Sequence, residues 1–247
     1  MNLLSSKTAV FRFWPLLAVA FFFAALQLAI PNIQKLSDQE LLRAASVNLS
    51  NKERAGLDKL AQLNNLPEDN PERLEAREAL ASIYLTQRRF DLAQDIYLDV
   101  LKIKTAHKKD LEGINLALAE LYRNMGDFSK AEGYYKKIWD YDKERLDKND
   151  LRIIRDLNNQ GMICYLIAMS QEDKLERELE LNRANFFLIQ AEIASRDRPK
   201  PDLQGEANIW ENRALIVQEL GNINEAAALK EKARAFHEKM PNRLIPP

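Results

Sequence analysis

The side chains most able to do chemistry are few in this 247-residue chain, and they lie far apart. His107 and His237 are its two histidines, and Cys164 is its one cysteine. A catalytic or metal site needs several such groups converging on one point. The sequence contains no metal-binding spacing, no paired nucleophile and base, and no glycine-rich phosphate loop. We therefore predict that the chain is not an enzyme and uses no metal or cofactor, that both histidines lie at the surface, and that Cys164 is a small core residue.

The charged clusters of the sequence also argue against an active site. Lys174 and Arg177 interleave with Glu176 and Glu178, which is typical of a solvated helix face rather than of paired catalytic carboxylates. The formal net charge of the chain is −1, and no helix carries a patterned basic stripe. Because nucleic-acid binding depends on neutralising phosphates, this balance argues against a nucleic-acid partner.

An uncharged, strongly apolar segment occupies residues 13–33. At a rise of about 1.5 Å per residue, such a segment is long enough to cross a bilayer core of about 30 Å as a helix. We predict a single transmembrane helix that acts as an uncleaved signal anchor. The alternative is secretion after cleavage of a signal peptide, but the run is longer than a usual signal core and its late cleavage candidates are poor.

The charges that flank this segment predict its orientation. The short tail at residues 1–12 carries Lys7 and Arg12 and no acidic residue, whereas the other flank mixes both signs. The positive-inside rule then favours a cytoplasmic N-terminus. We expect the C-terminal body on the extracytoplasmic side of the membrane, such as the periplasm.

The body reads as helical, because glycine is scarce (7 residues) and apolar residues recur with helical periodicity. Residues 80–101 and 118–139 share one order of small and aromatic side chains at identical intervals. The first copy carries Ala81, Tyr84, Phe90, Ala93 and Tyr97, and the second carries Ala119, Tyr122, Phe128, Ala131 and Tyr135. Small residues let two antiparallel helices approach closely, and a hairpin of this kind buries its apolar face only by stacking on neighbours.

These copies resemble the tetratricopeptide repeat (TPR) family, in the longer-loop variety of kinesin light chains and many bacterial proteins. Residues 207–236 repeat the pattern with Trp210 and Ala214, although Val217 replaces the usual tyrosine. A degenerate copy lies between them, with Gly161 at the crossing position and a second helix expected near residues 179–195.

The resemblance implies an all-α, TPR-type solenoid of helical hairpins, preceded by the transmembrane helix. We predict a tail at residues 1–12, the span at 13–33, a non-consensus helical hairpin at 36–66, TPR-like repeats over 74–240, and a tail at 241–247. Within the array, the expected repeats cover residues 74–107, 112–145, 154–195 and 207–238.

In this family the first helices of successive hairpins line a groove that takes peptides or partner helices. The matching positions here are Glu78, Ser82, Glu120, Arg123, Asn124, Asn158, Asn159, Tyr165, Glu211, Asn212 and Gln218. Asn159 and Asn212 either hold the backbone of an extended ligand, since an amide both donates and accepts, or bond between neighbouring hairpins. Glu78, Leu116 and Glu211 stand where the family's carboxylate clamp needs basic or amide side chains, so a C-terminal carboxylate ligand is not expected.

We therefore expect a membrane-anchored scaffold that mediates protein–protein interaction in the assembly or support of an envelope or membrane complex. Its partners would be a protein or peptide and the membrane, with no nucleic acid and no small-molecule substrate. The alternative is a fixed structural subunit of one membrane complex, and an enzyme of unrecognised type is less favoured.

Overall fold

The computed structural model describes residues 50–200 and 202–239, and these residues form nine α-helices and no strand. The helices are α1 (Asn51–Gln62), α2 (Pro71–Thr86), α3 (Phe90–Ala106), α4 (Glu112–Met125), α5 (Phe128–Asp142), α6 (Leu151–Ser170), α7 (Lys174–Arg196), α8 (Leu203–Glu219) and α9 (Ile223–Lys239). The tail at 1–12, the predicted span at 13–33, the start of the predicted hairpin at 36–66, and the tail at 241–247 lie outside the described residues. None of the described helices is long and apolar enough to cross a membrane.

The chain divides into two units, one up to Asn64 and one from Asn65 onward. In the first unit, α1 begins where the sequence predicts a helix cap. Ser50 accepts a hydrogen bond from the backbone N–H of Glu53 at 3.2 Å, which satisfies one of the free donors at the helix start. Leu57 and Leu60 are buried on one side of this helix.

In the second unit, successive helices pair into four hairpins, α2–α3, α4–α5, α6–α7 and α8–α9, among the described residues. A polar cap defines the start of the first hairpin. Asn70 accepts hydrogen bonds from the N–H groups of Glu72 and Arg73, with Pro71 at the first helical position. Gly126 ends α4 with a φ of 81°, the left-handed conformation that the turn requires.

One turn departs from the glycine pattern. Arg88, in the turn between α2 and α3, has a φ of 60°, a value that a non-glycine residue rarely adopts. It occupies the position that corresponds to Gly126 in the next hairpin. The hairpin geometry therefore imposes the left-handed turn even where the sequence does not supply the residue that favours it.

Small residues lie fully buried at the hairpin crossings. Ala81 and Ala93 in the first hairpin, and Ala119 and Ala131 in the second, are 0% exposed. In the third hairpin, a Cβ atom built on Gly161 would lie 2.7 Å from Cγ of Leu188, too close for van der Waals contact. Helices α6 and α7 therefore pack at a distance that only glycine allows at this point.

The third hairpin differs from the sequence prediction at its second helix. Helix α7 begins at Lys174, five residues before the expected start, because Asp173 caps it by accepting from the N–H of Glu176 at 2.9 Å. The hairpin is lengthened in its helices, which have 20 and 23 residues, and not in its connection. The charged residues from Lys174 to Glu178, predicted as a solvated helix face, thus belong to the first turns of α7.

The array is continuous through this degenerate hairpin. Helix α6 packs against α5, and α7 packs against α8. One apolar cluster combines Ile153 and Leu157 of α6 with Ala191 of α7 and Ile209 of α8, and Trp139 of α5 packs against it. Three of the hairpins therefore share one core at this point.

Two glycines in helix interiors give opposite predictions. Gly161→Ala should lower the free energy of unfolding by roughly 1–2 kcal/mol, because overpacking at Leu188 outweighs the gain in helix propensity. Gly133→Ala should raise it by roughly 0.5–1 kcal/mol, because no atom lies within 4 Å of the added methyl group. Urea unfolding of the two variants measures both, and equal stability of the two variants would contradict the close approach at Gly161.

Candidate partner-binding groove

All eleven groove positions expected from the family lie on the first helices of the hairpins, α2, α4, α6 and α8. These helices also contact one another between hairpins, since α2 touches α4 and α6 touches α8. Together they form one side of the array. We refer to this side as the first-helix groove.

In its N-terminal half, three of the predicted residues gather around one buried phenol. Glu78, Ser82 and Glu120 surround Tyr97 of α3. Burial raises the pKa of Tyr97 to about 12, the carboxylates of Glu120 and Glu78 add to the rise, and a hydrogen bond with Ser82 opposes it. The hydroxyl group therefore stays neutral at physiological pH and is a hydrogen-bonding group here, not a base.

In the C-terminal half, an amide pair links two hairpins. Nδ2 of Asn212 on α8 donates to Oδ1 of Asn158 on α6 at 2.9 Å, and both side chains are half-buried. Asn159, next along α6, is half-buried as well and makes no side-chain hydrogen bond within the described residues. Tyr165 packs further along α6, against the cluster that contains Cys164 and Leu188. Asn212 therefore forms the expected bond between hairpins, with Asn158 as its partner. Asn159 forms no such bond and remains available to a ligand.

Several predicted groove residues are already paired. Glu78 contacts Nζ of Lys104 at 2.6 Å, and Glu211 contacts Nε2 of His237 at 3.0 Å. The two pairs occupy equivalent positions in the first and last hairpins and tie each first helix to its second helix. The two carboxylates therefore hold the helices of their own hairpins together before any ligand is bound.

The last members of the predicted set are exposed and differ in their partners. Nδ2 of Asn124 donates to the carbonyl of Glu120 in its own helix at 2.7 Å, and Gln218 accepts from Nζ of Lys230 at 2.7 Å. Arg123 lies near Tyr135, whose pKa is raised mainly by burial and lowered in part by that guanidinium group. The groove therefore presents a charged N-terminal half and an amide-rich C-terminal half.

Sequence reasoning missed a second set of polar residues, a buried acidic cluster below the groove. Asp142 ends α5 and is 0% exposed, and Asp156 on α6 is 3% exposed. Nη2 of Arg155 lies 3.0 Å from Asp156 Oδ1, 2.9 Å from Glu112 Oε1 and 3.8 Å from Asp142 Oδ2. The sequence signal was available, because Asp156 falls among the apolar positions of α6.

The two aspartates of this cluster both have raised pKa values. Burial raises the pKa of Asp156 to about 7, Arg155 opposes the rise, and nearby Asp142 adds to it. The pKa of Asp142 is also raised, by burial and then by Glu112. Both carboxyl oxygens of Asp142, and Oδ2 of Asp156, are buried without a hydrogen-bond partner within the described residues, which favours the protonated form. Arg155 of α6 meets Glu112 of α4 and Asp142 of α5, so the cluster connects the second and third hairpins.

The other candidates for chemistry are isolated. Cys164 is fully buried, and burial raises the pKa of its thiol to about 12, so it is an unreactive core residue as predicted. His107 lies at the end of α3 with half of its side chain exposed, 3.4 Å from Asp69. Across the described residues, no group of three or more His, Cys, Asp or Glu side chains is arranged to hold a metal ion.

Comparison with known proteins agrees with the hairpins and their stacking. Residues 74–107 and 116–148 each match a family described as Tetratricopeptide repeat. No curated protein matches the chain. Two crystal structures from Podosopora anserina are similar in fold: a putative kinesin light chain with nearly identical TPR-like repeats, and a form of it that carries one substitution. Each is 16% identical, with TM-scores of 0.59 and 0.60, and the alignments cover 82% of this chain and 89% of the other.

The described body is therefore an all-α, TPR-like solenoid with kinesin-light-chain-like structural neighbours, and two of its hairpins match tetratricopeptide repeats. Repeats of this class suggest a scaffold for protein–protein interaction, and such scaffolds are typically not enzymes.

The acidic cluster predicts a pH dependence of stability. Since the folded-state pKa of Asp156 lies above its ordinary value of 3.8, its stabilising contribution is complete below about pH 4 and is lost as pH rises through about 7. Asp156→Asn keeps an acceptor for Arg155 and cannot ionise. We expect its stability relative to the unmodified chain to rise by roughly 2–4 kcal/mol between pH 4 and pH 8.

Chemical denaturation at several pH values measures this difference. Asp140→Asn is the matched control, because hydrogen bonds from Lys143 and Lys136 lower the pKa of that exposed carboxyl group. Its change should have the opposite sign, with stability lost at neutral pH. A pH-independent difference for Asp156→Asn would contradict the raised pKa of Asp156.

Proposed function

We propose that the chain is a membrane-anchored scaffold that binds a protein partner along the first-helix groove, in the assembly or support of an envelope or membrane complex. The observation that carries the proposal is the amide-lined C-terminal half of the groove on a tetratricopeptide-repeat solenoid. The cytoplasmic tail at residues 1–12 and the span at 13–33 remain predictions from the sequence. With them, the groove would face the extracytoplasmic side.

The amides suit an extended peptide. The hydrogen bond between Asn158 and Asn212 uses one donor and one acceptor, which leaves Nδ2 of Asn158 and Oδ1 of Asn212 without a bond within the described residues. These two atoms and the side-chain amide of Asn159 provide hydrogen-bond donors and acceptors on two neighbouring hairpins. A peptide backbone needs both kinds of partner, and contacts to it are independent of sequence.

The charges of the groove exclude one class of ligand. Glu78 and Glu211 place carboxylates where a clamp for a C-terminal carboxylate would need cations, and Lys104 and His237 are engaged with them. We therefore propose an internal segment of the partner as the ligand. Arg123, exposed on α4, is placed to contact an acidic residue of that segment.

A photo-crosslinking amino acid at position 159 tests the groove in intact cells. We expect a covalent adduct of defined mass at this position, identified by mass spectrometry. Asn224 on α9 is the matched control, because it is an exposed asparagine on a second helix, outside the groove. An equal yield from both positions, or no adduct at position 159, would contradict the proposal.

Two alanine variants separate binding from folding. Asn159→Ala should reduce the adduct formed from a crosslinker at position 123 while changing the free energy of unfolding by less than about 0.5 kcal/mol. Asn212→Ala should lower the free energy of unfolding by about 1 kcal/mol, since it removes the bond to Asn158. Loss of stability without loss of the adduct in both variants would assign the amides to the fold alone.

The orientation is tested by a reporter fused at residue 247. Alkaline phosphatase should be active there if the body lies outside the cytoplasm, because that enzyme needs an oxidising compartment. A fluorescent protein that matures only in the cytoplasm is the paired control. Activity of the fluorescent reporter alone would reverse the proposed orientation.

A further inference from the structure

Helix α7 differs from the other second helices in its solvent-facing side. Its exposed residues include Leu175, Leu179, Phe186 and Ile193, with exposed fractions of 76%, 62%, 59% and 45%. We call these four residues the α7 stripe. The exposed positions of α3 and α5, by contrast, are mainly charged, as at Asp95, Asp99, Lys102, Lys136 and Lys137.

The α7 stripe follows the length of the helix, with the exposed Asn182 between Leu179 and Phe186. Its members are spaced by four, seven and seven residues, which places them on one side of a helix. From Leu175 to Ile193 the stripe runs for about 27 Å at the α-helical rise. An exposed apolar face of this length is unusual for a surface in contact with water and marks an interaction site.

A cleft adjoins the C-terminal half of the stripe. It has a volume of about 440 Å³ and is lined by Trp139 of α5, Ile153 and Leu157 of α6, and Phe186 and Ile193 of α7. The cleft can therefore receive large apolar side chains from whatever covers the stripe.

The charges at the two ends of the stripe are opposite in sign. Near its N-terminal end the exposed acidic residues outnumber the cations Lys174 and Arg177; they are Glu172, Asp173, Glu176 and Glu178. Lys143 and Lys148 line the cleft at its C-terminal end, where Arg196 is also exposed. The acidic residues of that end are paired, Asp197 with Lys148 at 3.3 Å and Glu192 with Arg196 at 2.9 Å. A surface that is apolar along its length, acidic at one end and basic at the other is complementary to a reversed copy of itself.

We propose that α7 is the contact between two copies of this chain, packed antiparallel about a two-fold axis at the level of Ala184. About that axis, Leu175 lies opposite the partner's Ile193, and Asn182 lies opposite the partner's Phe186. Glu172 lies opposite the partner's Arg196. A contact of this kind is isologous, so every pairing occurs twice, and the leucines at one end fill the cleft at the other.

The dimer leaves the first-helix groove free. The stripe is on a second helix, whereas the groove residues are on first helices, so each copy can bind its own partner. Two linked grooves bind a repeated or dimeric partner with an affinity above that of one groove. The dimer does not depend on the proposed groove function, and its test has a separate readout.

Sedimentation velocity of the full chain in one non-ionic detergent, over a range of protein concentrations, measures the association. We expect a concentration-dependent dimer for the unmodified chain. Phe186→Asp should weaken it at least about 30-fold, as expected for a charge placed at the centre of an interface. Ile223→Asp is the matched control, because Ile223 on α9 is also 62% exposed, and it should leave the dimer unchanged.

Two outcomes would overturn the proposal. A chain that is monomeric at all concentrations would assign the stripe to another occupant, such as residues 240–247 or a different protein. A dimer that Phe186→Asp does not weaken would be held by another surface, such as residues 13–33.

Cysteine cross-linking tests the antiparallel direction. The native Cys164 is fully buried, so the unmodified chain provides the background. With a short bismaleimide, Asn182→Cys should cross-link efficiently because this position lies close to the two-fold axis. Leu175→Cys alone should not, because its two copies would lie about 27 Å apart along the axis.

The double variant with Leu175→Cys and Ile193→Cys should restore cross-linking, since these positions face each other between copies. Cross-linking of Leu175→Cys alone as efficient as that of Asn182→Cys would indicate parallel packing and overturn the arrangement. Failure of both Asn182→Cys and the double variant to cross-link would overturn it as well.

Discussion

The close approach of paired helices is the constraint on which this structure depends. Ala81 with Ala93, and Ala119 with Ala131, provide buried positions with almost no side chain, and Gly161 provides one with none. Because the backbones come close there, the large residues beside them, such as Leu188, must lie in the remaining space. The positions of the groove residues follow, since each first helix is fixed by its crossing with the second.

Most of the helical body could be predicted from the intervals between small and aromatic residues, because those intervals record which residues meet. The start of α7 could not, because Asp173 is recognised as its cap only from the contact with the N–H of Glu176. Arg88 carries no sign of its left-handed backbone. Sequence rules predict the conformation of such residues from their residue type, whereas the packing of the hairpins determines it.

The groove, too, could be predicted from the sequence only in part. The family pattern indicated the first helices, and all the predicted residues lie on them. It did not indicate which side chains are already engaged, since Asn212 pairs with Asn158 of the preceding hairpin. A repeat pattern specifies positions within one hairpin, and partners from the next hairpin depend on how the two stack.

The apolar cluster that joins Trp139, Ile153 and Ile209 makes the middle of the array indivisible. Repeat proteins are usually modular, and units can be removed or exchanged because each touches only its neighbours. Here three hairpins share one core, so excising the degenerate hairpin would expose the apolar surfaces of both flanking repeats with no replacement that fits. Over evolution, such an array would lengthen or shorten at its ends and keep its centre intact.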